Sequence, residues 1–179
     1  MAYQYTYQTP DGYDNMIMNS DGEYLTALCF EDSRDISKLS ADCEEKILPV
    51  FQDTIKWLDL YFSGKIPDFT PEYRVSALTP FRRQVIDIMN TIPYGQTVTY
   101  RDIARQLAHK RGLEKMSAQA VGGAVGFNPV CIIIPCHRVV GSGGSLTGYG
   151  GGIRNKAKLL ELEGNDMSKF IVPKKGTAL

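Results

Sequence analysis

Of the four cysteines in this 179-residue chain (Cys29, Cys43, Cys131 and Cys136), one is placed for chemistry. Cys136 follows Pro135, which ends an apolar run, and His137 and Arg138 come directly after it. A thiol attacks as its thiolate, and an adjacent base or cation lowers its pKa toward neutrality. The pattern points to a reactive thiol, with His137 acting directly or through a water, and by itself it names no substrate. Cys131 lies inside the apolar run and reads as an inert core residue. No two cysteines are spaced C-x-x-C and neither histidine lies near a cysteine pair, so no metal site is expected. The glycine-rich stretch 141–152 lacks the Gly-Lys-Ser/Thr of a phosphate-binding loop, which argues against a nucleoside triphosphate site.

Cys136 needs elements to hold it. In the first half, residues 3–8 alternate aromatic and polar side chains at period two, as a half-buried strand does. Asp11-Gly12 and Asp21-Gly22 are turn dipeptides between short apolar runs, which predicts a small antiparallel sheet. Ile47, Val50, Phe51, Ile55, Trp57, Leu58 and Tyr61 recur mostly at helical spacing, with Pro49 in the first turn of that helix. Gly64, Pro67 and Pro71 mark a linker that ends near Val75.

The second half reads as mostly helical. Thr79-Pro80, Thr99 and Ser117 are N-cap signals for three successive helices, the last two disposed like a helix-turn-helix. The third helix carries Gly122-Gly123, which costs roughly 1 kcal/mol per glycine relative to alanine. Something must therefore approach that face closely, either a neighbouring helix or a DNA groove. Residues 130–134 read as a buried strand. A last helix spans about 153–163 with Gly164 as its stop. The division expected is 1–75, 76–170 and a tail, 171–179.

The chain is neutral as a whole, but its charge is segregated: residues 1–75 carry 6 Lys+Arg against 14 Asp+Glu, and residues 76–158 carry 11 against 3. A strongly basic half joined to an acidic one fits a polyanion-binding module. A hydrophobic fraction of 43% argues against disorder, and no stretch is long and apolar enough to span a membrane. The first residues lack the basic-then-apolar pattern of a secretory signal, and the thiols are expected reduced, so a cytoplasmic protein is expected.

Residues 133–140, Ile-Ile-Pro-Cys-His-Arg-Val-Val, resemble the active-site signature of the O6-alkylguanine-DNA alkyltransferases, also called methylated-DNA–protein cysteine methyltransferases. The likeness extends from Thr79-Pro80-Phe81 through residues 92–100 and 120–124 to Gly148-Tyr149 and 159–164. A weaker one lies in residues 57–64. It implies an α+β fold: a small N-terminal antiparallel sheet with a helix, ribonuclease H-like, followed by a mostly helical C-terminal domain with a winged helix-turn-helix. It also implies a suicidal methylated-DNA–protein-cysteine S-methyltransferase. Such a protein would take alkyl groups from O6-alkylguanine, and from O4-alkylthymine, in double-stranded DNA, acting as a monomer without a cofactor.

The resemblance carries roles as well. Cys136 would be the acceptor, His137 its base through a water, and Glu163 the group that holds His137. Asn128 would shape the active-site loop, and Tyr100 would donate a proton toward guanine N3. Gln119, Ala120, Val121, Gly122 and Gly123 would enter the minor groove. Arg101 and Ser142 would contact phosphate, and backbone at Cys136 and Val139 would read the guanine edge. Tyr149 and Gly150 would border the alkyl group, with Gly150 leaving room for more than methyl. Gln119 stands where many members have an intercalating arginine, and it brings no charge and less stacking surface; Arg111 and Lys115 could restore the charge. Three rivals are a non-enzymatic lesion-binding relative, a helix-turn-helix transcription factor and a thiol hydrolase. The first is disfavoured by the presence of Cys136, the second by the lack of an effector segment, and the third by the basic half.

Overall fold

The computed structural model describes residues 1–173; residues 174–179 of the expected tail lie outside the described residues. The fold is mixed α+β. Strands β1 (Ala2–Tyr7), β2 (Met16–Ser20) and β3 (Leu25–Phe30) form an antiparallel meander, with Tyr5 opposite Met18 and Met18 opposite Leu28. The sheet differs from the expected purely antiparallel one. A fourth strand, β4 (Cys43–Glu45), adds to the free edge of β1 in parallel, giving the order β3-β2-β1-β4. It is three residues long, mostly exposed and polar, so no period-two apolar signal announces it.

Helix α1 (Pro49–Phe62) begins with proline at its first position, where the missing N–H costs no hydrogen bond. Its stripe Val50, Phe51, Thr54, Trp57, Leu58 and Tyr61 is buried. The segment after it does not run free. Leu25 N–H donates to Glu72 O and Arg74 N–H to Leu25 O, both at 2.9 Å, laying residues 72–74 along β3.

Helices α2 (Pro80–Met89), α3 (Tyr100–Lys110) and α4 (Ala118–Gly126) start at the three cap residues that the sequence singles out. The Thr79 hydroxyl accepts from Arg82 N–H and that of Ser117 from Ala120 N–H, each at 3.2 Å. Thr99 and Asp102 form a reciprocal capping box. Helix α5 (Ile153–Leu162) ends at Gly164, whose φ of +81° is readily reached by glycine. Strands β5 (Val98–Thr99) and β6 (Val139–Val140) form a short parallel pair that ties the entry of α3 to the segment after Cys136. Among the described residues, no helix is long and apolar enough to cross a membrane.

Residues 130–134 are buried, as expected, but they are not a strand. Val130 bridges Leu28 of β3, and Ile132 then turns the chain at φ +68°, bringing Ile134 back beside Cys131. A β-branched residue rarely adopts that conformation, which costs about 1–3 kcal/mol. An apolar run reports burial and cannot distinguish a strand from a buried turn. Leu28 N–H donates to Pro129 O and Cys131 N–H to Leu28 O, both at 2.8 Å, so the edge of the N-terminal sheet holds the turn. One hydrophobic cluster accordingly runs through both halves, from Met18, Phe30 and Tyr61 to Val130, Cys136 and Leu159.

A polar latch reinforces this. Lys38, in the 3₁₀ turn Arg34–Lys38, donates to the Gly126 and Asn128 carbonyls at 2.8 Å and pairs with Asp35 at 2.6 Å. It thereby satisfies carbonyls at the C-terminal end of α4, where the helix dipole favours a cation. Lys38→Met keeps the aliphatic stem but strands the buried Asp35 carboxylate, and it is expected to lower stability by about 3 kcal/mol in chemical denaturation. Adding Asp35→Asn should restore a large part of that loss.

Candidate active site

Cys136 opens a 3₁₀ turn, Cys136–Arg138, in which its N–H donates to Ile134 O at 2.8 Å. Asn128, buried at the end of α4, organises the turn. Its Oδ1 accepts from Val130 N–H at 2.9 Å, while Nδ2 donates to Ile134 O and to the Cys136 sulfur, both at 3.0 Å. The sulfur also has the Cys131 thiol beside it. Hydrogen bonds from Cys131 and then Asn128 lower the Cys136 pKa, against burial and the negative charge of Asp35. Cys131 is pushed up by the same contact, so Cys136 ionises first. Cys131 is therefore more than core filling. Its single thiol proton can go either to the nucleophile or to Asp35 Oδ2, 3.4 Å from its sulfur.

Behind Cys136 lies a buried carboxylate. Glu163 Oε1 accepts from His137 Nε2 and from the Tyr61 hydroxyl, both at 2.8 Å, and from Arg138 Nη2 at 2.9 Å. Glu163 Oε2 accepts from Arg138 Nε at 2.9 Å and from Gly95 N–H at 3.1 Å. Gly95 is required twice over: its φ is +77°, and a Cβ there would lie 2.8 Å from Glu163 O. The hydrogen bonds and charges of His137 and Arg138 hold the Glu163 carboxyl down to about 2, against its burial. An ionised acceptor facing Nε2 places the imidazole proton there, so Nδ1 is the bare nitrogen. Nδ1 is buried and has no hydrogen-bond partner among the described residues. Burial lowers the His137 pKa despite Glu163, which keeps the ring neutral and able to accept a proton.

Asn128 thus meets Cys136 and Glu163 meets His137, and the two pairs adjoin along the chain in the turn Cys136–Arg138. Tyr100, at the start of α3, reaches the rim of the site: its hydroxyl donates to Thr147 O at 3.2 Å, and a Cβ at Gly148 would lie 2.9 Å from it. Burial, and then the Cys136 charge, raise its pKa to about 12. Tyr149 is buried, and its hydroxyl has no hydrogen-bond partner among the described residues. The Val139 carbonyl already accepts from Lys156 Nζ at 2.6 Å. Gln119, Ala120, Gly123, Arg101 and Ser142 are exposed and lie outside this cluster; Val121 is on the buried face of α4, and Gly122 is half-buried against Tyr100. Arg111, offered as replacement charge, is engaged with Gln84 Oε1 at 2.6 and 2.8 Å.

The structure corrects the reading of Gly150. The Asp35 carboxylate stands where its Cβ would be, so the missing side chain accommodates Asp35 and leaves no spare room there. Sequence reasoning also missed Tyr61, Lys156, and Arg138 as the partner of Glu163. Tyr61 sits in the apolar stripe of α1 and looks like any core aromatic. Lys156 left a signal, because it occupies an inward position of α5 between Ile153 and Leu159. It is fully buried, and burial lowers its pKa to about 8.

Glu163 has its pKa depressed on folding, so its contribution to stability is complete above its ordinary value of 4.5 and fades as pH falls toward about 2. Glu163→Ala removes the acceptor shared by His137, Tyr61, Arg138 and Gly95. It is expected to cost about 3–5 kcal/mol at neutral pH. The gap to the parent protein should narrow through that acidic window, as measured by denaturation across pH.

A family model described as the 6-O-methylguanine DNA methyltransferase DNA-binding domain matches residues 80–165. The methylated-DNA–protein-cysteine methyltransferase of Mycobacterium tuberculosis is 45% identical over 113 residues, which span 63% of this chain and 65% of that protein. The protein of the same name from Sulfurisphaera tokodaii is 38% identical over 165 residues, 92% of this chain and 95% of its own length. The crystal structure of Mycobacterium tuberculosis OGT in complex with DNA superposes with a TM-score of 0.75 at 35% identity, covering 94% of each chain. With similarity running nearly end to end through the Sulfurisphaera protein, the chain belongs to the methylated-DNA–protein-cysteine methyltransferase family.

Proposed function

We propose that this protein repairs DNA by direct damage reversal, moving the alkyl group of O6-alkylguanine, and of O4-alkylthymine, in double-stranded DNA onto its own Cys136. The observation that carries the reading is the buried Cys136 thiol, activated through Asn128 and Cys131, next to a neutral His137 oriented by Glu163. His137 Nδ1 takes the thiol proton through a water. The sulfur then attacks the alkyl carbon, an S–C bond forms, and the C–O6 bond breaks with its electrons passing into the guanine. Tyr100, held protonated up to about 12, donates toward N3 as the base departs. The product is a thioether with no route back to the thiol, so each molecule acts once, without a cofactor, as a cytoplasmic monomer.

The target lies inside a duplex and must be flipped out, at a cost of about a few kcal/mol that is smaller for a damaged pair. The reading assigns the grip on DNA to a winged helix-turn-helix built on α3 and α4, beside a ribonuclease H-like N-terminal domain. The α4 glycines support this assignment. A Cβ at Gly122 would meet only Tyr100, at an ordinary 3.9 Å, and one at Gly123 would meet nothing within 4 Å. No neighbour within the protein demands either glycine, despite a helix cost of about 1 kcal/mol each, which favours a partner from outside. The solved Mycobacterium tuberculosis relative is bound to DNA. Exposed Gln119 would fill the gap left by the flipped base, with Arg101 and Ser142 on phosphates.

Incubation with an oligonucleotide containing O6-methylguanine, followed by intact-protein mass measurement, should show a stoichiometric gain of one methyl group that is absent in Cys136→Ala. Catalytic turnover, or no gain, would sink the reading. Gln119→Ala should slow transfer by a few fold, and unchanged kinetics together with unchanged DNA affinity would remove Gln119 from its role.

A further inference from the structure

Tyr61 belongs to α1, more than seventy residues before Cys136 in the chain, yet its hydroxyl reaches the centre of the relay. It donates to Glu163 Oε1 at 2.8 Å, and its oxygen lies 3.3 Å from His137 Nε2. The ring is held on four sides. Trp57 stacks on it at 5.3 Å, and Phe62, Tyr94 and His137 meet it edge-on at 5.6, 6.0 and 6.4 Å. A hydroxyl so buried and caged cannot rotate to water, so its proton is committed to the ionised carboxylate.

We infer that Tyr61 is a positioning residue of the relay, through which the N-terminal half keeps His137 a neutral imidazole. With its proton given to Glu163, the phenol oxygen presents only lone pairs to Nε2, in agreement with the N–H that Glu163 places there. The same donated hydrogen bond draws on the charge of Oε1 and weakens the pull of Glu163 on the imidazolium form. The other groups bearing on His137 are Arg138 beside it, which lowers its pKa as Lys156 of α5 does, and Glu163 itself, which raises it. Tyr94, from the segment between α2 and β5, faces Glu163 and Arg138. Tyr61 therefore moderates the one group that would charge the base. A side chain from the acidic half in this way enters the chemistry of the basic half.

This inference rests on His137 serving as the base in the reading above, but its test needs no DNA. In Tyr61→Phe the ring cage stays and the hydroxyl goes. Nitrogen-detected imidazole spectra should show His137 of the parent protein as the pure Nε2–H form. The variant should keep that tautomer, which Glu163 fixes, and show a titration midpoint raised by about one unit. The other histidine, exposed His109, serves as an internal control. The single-turnover rate of methyl transfer at neutral pH should fall about tenfold, with its acidic limb moved to higher pH. An unchanged or lowered midpoint overturns the inference. Should the variant not fold, the parent protein decides: a slowly exchanging Tyr61 hydroxyl proton with a cross-peak to the His137 ring supports it, and its absence overturns it. A parent protein with these spectra that moves no methyl group would fail the functional reading alone.

Discussion

A carboxylate without water must be satisfied by the protein around it, and Glu163 sets that condition for this structure. Its four donors come from three places: Tyr61 in α1, Gly95 before β5, and His137 and Arg138 in the turn that Cys136 opens, all converging on the end of α5. Losing any one leaves a buried charge less compensated, at a cost well above that of an ordinary surface pair. The segments that meet there are accordingly fixed relative to one another. This is why a histidine beside a cysteine in sequence has a fixed orientation: it is held from behind, through Nε2.

The nucleophile is held from the other side by a different network. Asn128 closes the turn 130–136 on itself and touches the sulfur, while its own carbonyl is taken by Lys38. The edge of β3 pairs with Val130 and Cys131. The N-terminal half therefore reaches Cys136 twice, through backbone at β3 and through the Asp35–Lys38 latch, and reaches His137 a third time through Tyr61. Cys136 is only 5% exposed, so the contacts around the sulfur also shield it from adventitious electrophiles. Under the proposed single-use chemistry such shielding matters, because any side reaction would consume the protein.

Local signals proved reliable where the physics is local. Thr79, Thr99 and Ser117 cap their helices because a side-chain oxygen three residues from an orphan N–H satisfies it whatever the tertiary context. The adjacency of Cys136 and His137 was visible for a similar reason, since it is a matter of position along the chain. The misreadings were nonlocal. Residues 130–134 are apolar because they are buried, but the turn at Ile132 is set by β3 and Asn128. The smallness of Gly150 reflects Asp35, more than a hundred positions earlier. Tyr61 and β4 carried no usable signal, one hidden in an apolar stripe and the other too short and polar to show a period.

By itself, then, the sequence determined the helices, the burial of the segment before Cys136, the segregation of charge and the adjacency of Cys136 and His137. Each follows from the spacing or the neighbourhood of residues along the chain. Only the tertiary structure decided which nitrogen of His137 is free, which thiol ionises first and how far the acidic half takes part. Those depend on a few hydrogen bonds between residues distant in sequence, and such bonds exist only once the apolar surfaces of both halves have been brought together and water has been excluded from between them.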